Sequence, residues 1–125
     1  PLIDRIDLHV EVNAVSPDEL LQAPAGEATD AVCARASAAR ARAVARQGAS
    51  NQALQGADID THCALDEPAR KFLNTAATRL GWSARATHRA LKVARTIADL
   101  AGAQNVQVTH VAEAVQYRRA LKALG

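Results

Sequence analysis

The sequence predicts an all-α domain preceded by a single strand, on three observations. The apolar mass is Ala, Leu, Val and Ile, and among 125 residues only Phe72, Trp82 and Tyr117 are aromatic. Asp or Ser followed by helical periodicity and closed by Gly recurs along the chain. One run, Ile6-Asp7-Leu8-His9-Val10-Glu11-Val12, alternates apolar and polar with period two, as a half-buried strand does. Alanine gives up no side-chain entropy on entering a helix, so an Ala-rich chain favours helices. A chain of this length is one ordinary domain with room for a core.

The strand, residues 6–12, has no second strand in the sequence to pair with, so its sheet is expected in a part of the protein outside this sequence. Apart from that sheet it should lie unordered or pair non-natively. The chain opens on Pro1 rather than Met, which adds to the expectation of a piece cut from a longer protein. Asn13 to Gly26, with Pro17 and Pro24, reads as a linker holding at most one short turn. Glu27 to Gln47 reads as a long helix, acidic at its start, Arg46 in its last turn, Gly48 to stop it. A polar turn over 49–57 and a short helix over 58–63 follow.

Asp66 caps a helix running to Leu80, with Pro68 tolerated in its first turn and Gly81 closing it. Phe72, Leu73 and Ala76 or Ala77 share its buried side. Ser83 caps the next helix, Ala84 to Ala101, which Gly102 ends. Ala90, Leu91, Ala94, Ile97, Ala98 and Ala101 form its core stripe, while Arg85, Arg89, Lys92 and Thr96 follow one another at helical spacing on another face. Thr109 caps a last helix, from His110 to about Ala123. The organisation is thus a strand segment 1–13, a linker 14–26 and a helical domain 27–125.

The net charge of +2, from 15 basic and 13 acidic residues, is too small to argue for nucleic acid by itself. No stretch has the length to span a membrane and no secretory signal opens the chain, so a cytoplasmic location is expected. Cys33 and Cys63 make no CxxC pair and read as small core residues. Neither the cysteines nor the histidines at 9, 62, 88 and 110 match zinc spacing, so no metal ligands are assigned. With no Gly-rich phosphate loop and no nucleophile–base order, the chain alone is not expected to be an active enzyme.

Arg85 lies in the first turn of its helix, at the positive end of the macrodipole. That placement is poor for local stability and good for holding a phosphate. On spacing alone a solvated arginine is the commoner outcome. Arg5, between Asp4 and Asp7, is either a phosphate-directed arginine at a sheet edge or half of a weak surface ion pair. Arg35, Arg40, Arg42 and Arg46 on the long helix read as a solvated face, since no aromatic residue interleaves them.

Several segments bear a family resemblance. Pro1-Leu2-Ile3-Asp4-Arg5-Ile6-Asp7-Leu8-His9 resembles the segment that follows sensor 1 in AAA+ ATPases of the magnesium-chelatase subunit I and competence protein ComM family. Arg46-Gln47-Gly48 with Asn51 and Leu54, Cys63-Ala64-Leu65-Asp66, Ser83 to Arg89, Val93 to Gly102, and His110 to Ala114 with Gln116-Tyr117-Arg118 resemble its ComM branch in the same order. Thr87 departs from the pattern, which has an aromatic residue before the histidine.

The resemblance implies that this chain is the C-terminal helical lid of such an ATPase, without the Walker motifs. It implies Arg5 as the arginine finger acting on the neighbouring subunit's nucleotide, Arg85 as the sensor 2 arginine, and Arg89 as a further nucleotide-binding candidate. ATP and Mg2+ are the cofactors implied for the whole protein, and none is expected in this piece. The partners implied are its own upstream AAA+ core, copies of itself in a ring (a hexamer by likeness) and DNA through regions elsewhere; no membrane is expected. The work implied is DNA branch migration in recombination and natural transformation. A motor for inserting magnesium into a porphyrin is the family alternative. A reading from another class makes residues 66–102 a helix-turn-helix nucleic-acid module, with Gly81-Trp82-Ser83 as its turn. A third gives the domain to subunit packing alone.

Overall fold

The computed structural model describes residues 5–124, the last five by backbone alone. Six α-helices follow in order among them: α1 (Pro17–Gln22), α2 (Thr29–Gln47), α3 (Ala57–His62), α4 (Glu67–Leu80), α5 (Ala84–Ala101) and α6 (Val108–Leu124), with a 3-10 turn at Asn51–Ala53. The class is all-α, and among the described residues there is no sheet. No described helix is long and apolar enough to cross a membrane.

Local chemistry sets the helix ends. Asp66 accepts from the Ala69 N–H at 2.9 Å and Ser83 from the Ala86 N–H at 3.1 Å, each satisfying a donor that the first turn leaves without a partner. Gly48, Gly81 and Gly102 close α2, α4 and α5 at φ of 77°, 64° and 74°, a left-handed conformation that glycine takes without a Cβ clash. The start of α6 differs from the expectation. It begins at Val108, and His110 Nδ1 accepts from the Gln107 N–H at 3.0 Å, as a Glu or Gln does in a capping box.

Helix α5 is the centre of the domain, packing on α2, α3, the 3-10 turn and α6, while α4 packs on α6. The core joins Leu54, Ile59 and Cys63 to Ala69 and Leu73 of α4, Leu91, Ala94 and Ala98 of α5, and Val106, Val111, Ala114 and Val115. Alanines at the crossings leave little side chain between the backbones, so the helices approach closely. The α3–α4 and α5–α6 connections meet at a single parallel bridge between Leu65 and Val106. Within the predicted α4 stripe, Leu73 is buried, Ala76 and Ala77 are half-buried and Phe72 is 37% exposed, while Ala69, outside that stripe, is buried. Ala101 is exposed and Ala86 is buried in its stead, since the α5 stripe starts one turn earlier. Cys33, expected in the core, is exposed on the N-terminal half of α2; Cys63 is buried.

Residues 6–12 form no strand. Alternation supplies a face, but a strand also needs a ladder, and no neighbouring strand is present among the described residues. Instead the Arg5 and Ile6 carbonyls accept from Arg89 and Arg118, and the His9 N–H donates to the Tyr117 carbonyl at 3.3 Å. Within 14–26, read as a linker, α1 forms through a capping box. Ser16 Oγ accepts from the Glu19 N–H and Glu19 accepts from the Ser16 N–H. It buries none of its residues. Pro1 to Asp4, part of the resemblance, lie outside the described residues.

Candidate functional site

The face of α5 opposite its buried stripe forms one wall of a cleft of about 860 Å³. Arg85, His88, Arg89, Lys92 and Thr96 line this wall in helical sequence. Asp7, Leu8 and Val10 line another side, Asn51, Gln52, Leu54 to Gly56 and Ile59 a third, and Glu113 and Tyr117 of α6 complete it.

The four basic side chains of this wall are held differently. Lys92 Nζ donates to the Gln52 carbonyl at 3.0 Å. Arg89 Nη1 donates to Asp7 Oδ1 at 2.8 Å and to the Arg5 carbonyl at 3.3 Å. His88 is exposed. Arg85 is exposed in the first turn of α5, and among the described residues no carboxylate pairs with it. The Ser83 cap satisfies the Ala86 and Thr87 N–H groups, which leaves those of Ala84 and Arg85 directed toward an outside acceptor. This mouth of the cleft is therefore cationic and rich in donors. At the other end Glu113 accepts from the Tyr117 hydroxyl at 3.2 Å, and its charge raises the pKa of that hydroxyl.

Arg85 and Arg89 are thus brought together as the spacing predicts. Arg5 does not line the cleft; it reaches this wall through its carbonyl, held by Arg89. Among the described residues no three His, Cys, Asp or Glu side chains gather as a metal site would require.

Beside this wall, where α5 meets α2, lies a polar cluster that sequence reasoning missed; its Asn51 also lines the cleft and donates to Thr96 at 3.0 Å. Asp99 is 1% exposed, yet it accepts from Arg46 at 2.8 and 3.1 Å through both oxygens, from Arg95 at 2.9 Å and from Asn51 at 2.9 Å. Arg42 donates to the Asp99 carbonyl at 2.6 Å. Arg46 is therefore not part of a solvated face, while Arg42 is exposed as expected and still reaches across to α5; both fasten α2 to α5. Arg35, by contrast, pairs on the surface with Glu27. Arg95, 1% exposed, also donates to the Gln104 and Ala103 carbonyls, each at 2.8 Å, and so secures the turn after α5. The available signal was Arg95 and Asp99 at i, i+4 directly beside Ala94 and Ala98 in the apolar stripe.

Residues 26–118 match the family described as magnesium chelatase, subunit ChlI C-terminal. Over 119 residues the chain is 40% identical to the protein named Uncharacterized protein YifB of Salmonella typhimurium, an alignment covering 94% of this chain and 24% of that one. It is 38% identical over 125 residues to competence protein ComM of Haemophilus influenzae, covering 99% of this chain and 25% of that protein. The chain therefore spans about a quarter of the length of these relatives.

Proposed function

The chain belongs to the magnesium chelatase subunit ChlI C-terminal family, and on that premise we propose that it is the lid of a ComM-type AAA+ ATPase that completes the ATP site through Arg85. The observation that carries this reading is Arg85 itself, exposed at the cleft mouth beside two free helix N–H groups and without a carboxylate to neutralise it. A triphosphate fits that chemistry: a planar guanidinium and backbone donors meet phosphate oxygens in the geometry they bind best. Positive charge held there stabilises the charge that develops on the oxygens during phosphoryl transfer. Arg89 is the second nucleotide-binding candidate, one turn on, though its guanidinium is already held by Asp7. Arg5 is the arginine finger, directed to the nucleotide of the adjacent subunit in a homo-oligomeric ring. The Mg2+ that accompanies ATP is assigned no ligand in this chain.

For the whole protein we propose a cytoplasmic motor that couples hydrolysis to DNA branch migration in recombination and natural transformation. Its support is the family and a relative named as a competence protein. DNA contacts are placed outside this chain, in keeping with its small net charge of +2.

The test is steady-state ATP hydrolysis by the full-length protein, wild type against Arg85→Ala, with nucleotide affinity and ring assembly measured alongside. The expected result is a fall in kcat of about a hundredfold or more with assembly intact. Unchanged turnover removes the phosphate role from Arg85. DNA affinity that drops steeply with salt then selects the helix-turn-helix reading, and lost assembly selects subunit packing.

A further inference from the structure

Lys92 stands in the same row as Arg85, and its setting is made entirely by the helical domain. Its side chain is half-buried, and Nζ donates to the Gln52 carbonyl at 3.0 Å. That carbonyl is itself held in place. The neighbouring Asn51 donates to Thr96 at 3.0 Å and to Asp99 at 2.9 Å, which clamps the turn to α5 just beyond Lys92. None of these residues belongs to segment 5–12, so the arrangement is the same wherever that segment lies.

An ammonium has three donors, and the Gln52 carbonyl takes one. Among the described residues no carboxylate pairs with Lys92. A half-buried cation is therefore fixed at the cleft wall with charge and donors to spare. It gives up hydration with no counter-charge to offset the loss, and Arg85 and Arg89 add like charge along the same face. A polyanion lying along α5 offsets both. The lining gives that polyanion a direction. Arg85 and the N–H groups of Ala84 and Arg85 stand at the N-terminal end of the helix, whereas Val93, Ile97 and Ile59 make the lining around and beyond Lys92 more apolar. Lys92, about 10 Å along the helix from Arg85, lies where the one environment passes into the other.

We propose that Lys92 is a further nucleotide-binding residue, which holds the phosphate nearest the nucleoside while Arg85 meets the terminal one. The nucleotide lies along α5 with its phosphates toward the start of the helix and its nucleoside toward Ile59 and Ile97. This rests on the phosphate role proposed above for Arg85. The phosphate nearest the nucleoside keeps its charge while the terminal one is hydrolysed, so Lys92 serves binding and holds ATP and ADP alike.

The experiment is titration of the full-length protein with ADP and with a non-hydrolysable ATP analogue, each with Mg2+, for wild type, Lys92→Gln, Lys92→Met and Lys92→Arg. Glutamine keeps a donor for the Gln52 carbonyl and methionine keeps the apolar stem, so the two neutral variants separate charge from packing. Both are expected to weaken the two nucleotides equally, by about tenfold to a hundredfold, as for one charged hydrogen bond. Lys92→Arg should retain most of both affinities. Wild-type affinity for both nucleotides in the neutral variants overturns the role of Lys92. A loss confined to the triphosphate also overturns it, because it puts Lys92 at the terminal phosphate, and so does a loss in Lys92→Arg as deep as in Lys92→Gln. Turnover of Arg85→Ala tests the underlying reading separately. If that turnover collapses while the Lys92 variants bind as wild type, Lys92 alone falls. If it is unchanged, the role of Arg85 falls, and with it the direction assigned to the nucleotide.

Discussion

Arg95 and Asp99, one turn apart on α5, form an ion pair inside the domain at 2.9 Å, their side chains 1% and 2% exposed. A pair so deeply buried costs desolvation on both sides, and it persists because neither partner depends on the other alone. Asp99 is satisfied on both oxygens by Arg46, Arg95 and Asn51. Arg95 also donates through its Nη atoms to the carbonyls of Ala103 and Gln104, while its Nε has no partner among the described residues. The pair serves as a junction between α2, α5 and the turn that leads to α6. It holds in place the helix that carries Arg85 and Arg89.

Removing the carboxylate should therefore be costly. Asp99→Ala leaves the buried Arg95 and the partly buried Arg46 without their counter-charge, and a loss of about 3–5 kcal/mol is expected. Urea unfolding followed by helical circular dichroism, with the m-value checked, measures it. A loss below about 1 kcal/mol would mean that both guanidiniums swing to solvent and that the junction is dispensable.

The same carboxylate gives the fold an acid limit. Burial raises the Asp99 pKa, but hydrogen bonds from Arg46 and Asn51 and the charges of Arg95 and Arg46 outweigh it, and the net shift is downward. A folded-state pKa below the unfolded value of about 3.9 contributes stability that is present above that pH and is lost as pH falls through the folded value. Stability should hold down to about pH 4 and then decline, and in Asp99→Asn this part of the acid decline should vanish. An acid profile identical in the two proteins would assign the transition to other carboxylates.

The two thiols should separate by reactivity. Burial pushes the Cys63 thiol up to about 11, against the opposing charges of Arg95 and Arg46, whereas Cys33 stands exposed on α2. At pH 8 a disulfide reagent should label Cys33 promptly and Cys63 only when the chain unfolds. Because the folded chain holds the Cys63 proton more tightly than the unfolded one, stability should fall as pH rises from about 8.5 toward the folded value. Cys63→Ala should remove that alkaline decline. Two thiols labelled at one rate would place Cys63 within reach of solvent.

The row Arg85, Arg89, Lys92 was legible because one helix generates it from spacing alone, and nothing tertiary is needed to align residues a turn apart. Which members of that row remain available was not legible. That depends on Asp7 and Gln52, which approach from distant parts of the chain to occupy Arg89 and Lys92.

By itself the sequence determined the helical class, the caps at Asp66 and Ser83, the glycine stops and the cationic face of α5. Each of these is a preference settled within about four residues, between a backbone donor and a nearby side chain or between φ and a missing Cβ. Tertiary structure alone decided that Arg95 and Asp99 go inside, that Arg42 and Arg46 bind across to α5, and that Cys33 stays outside. Burial of charge depends on partners 48 and 53 residues away, Asn51 and Arg46, and a strand depends on a neighbour's unpaired backbone. Such partners are supplied by packing, and local pattern carries no record of them.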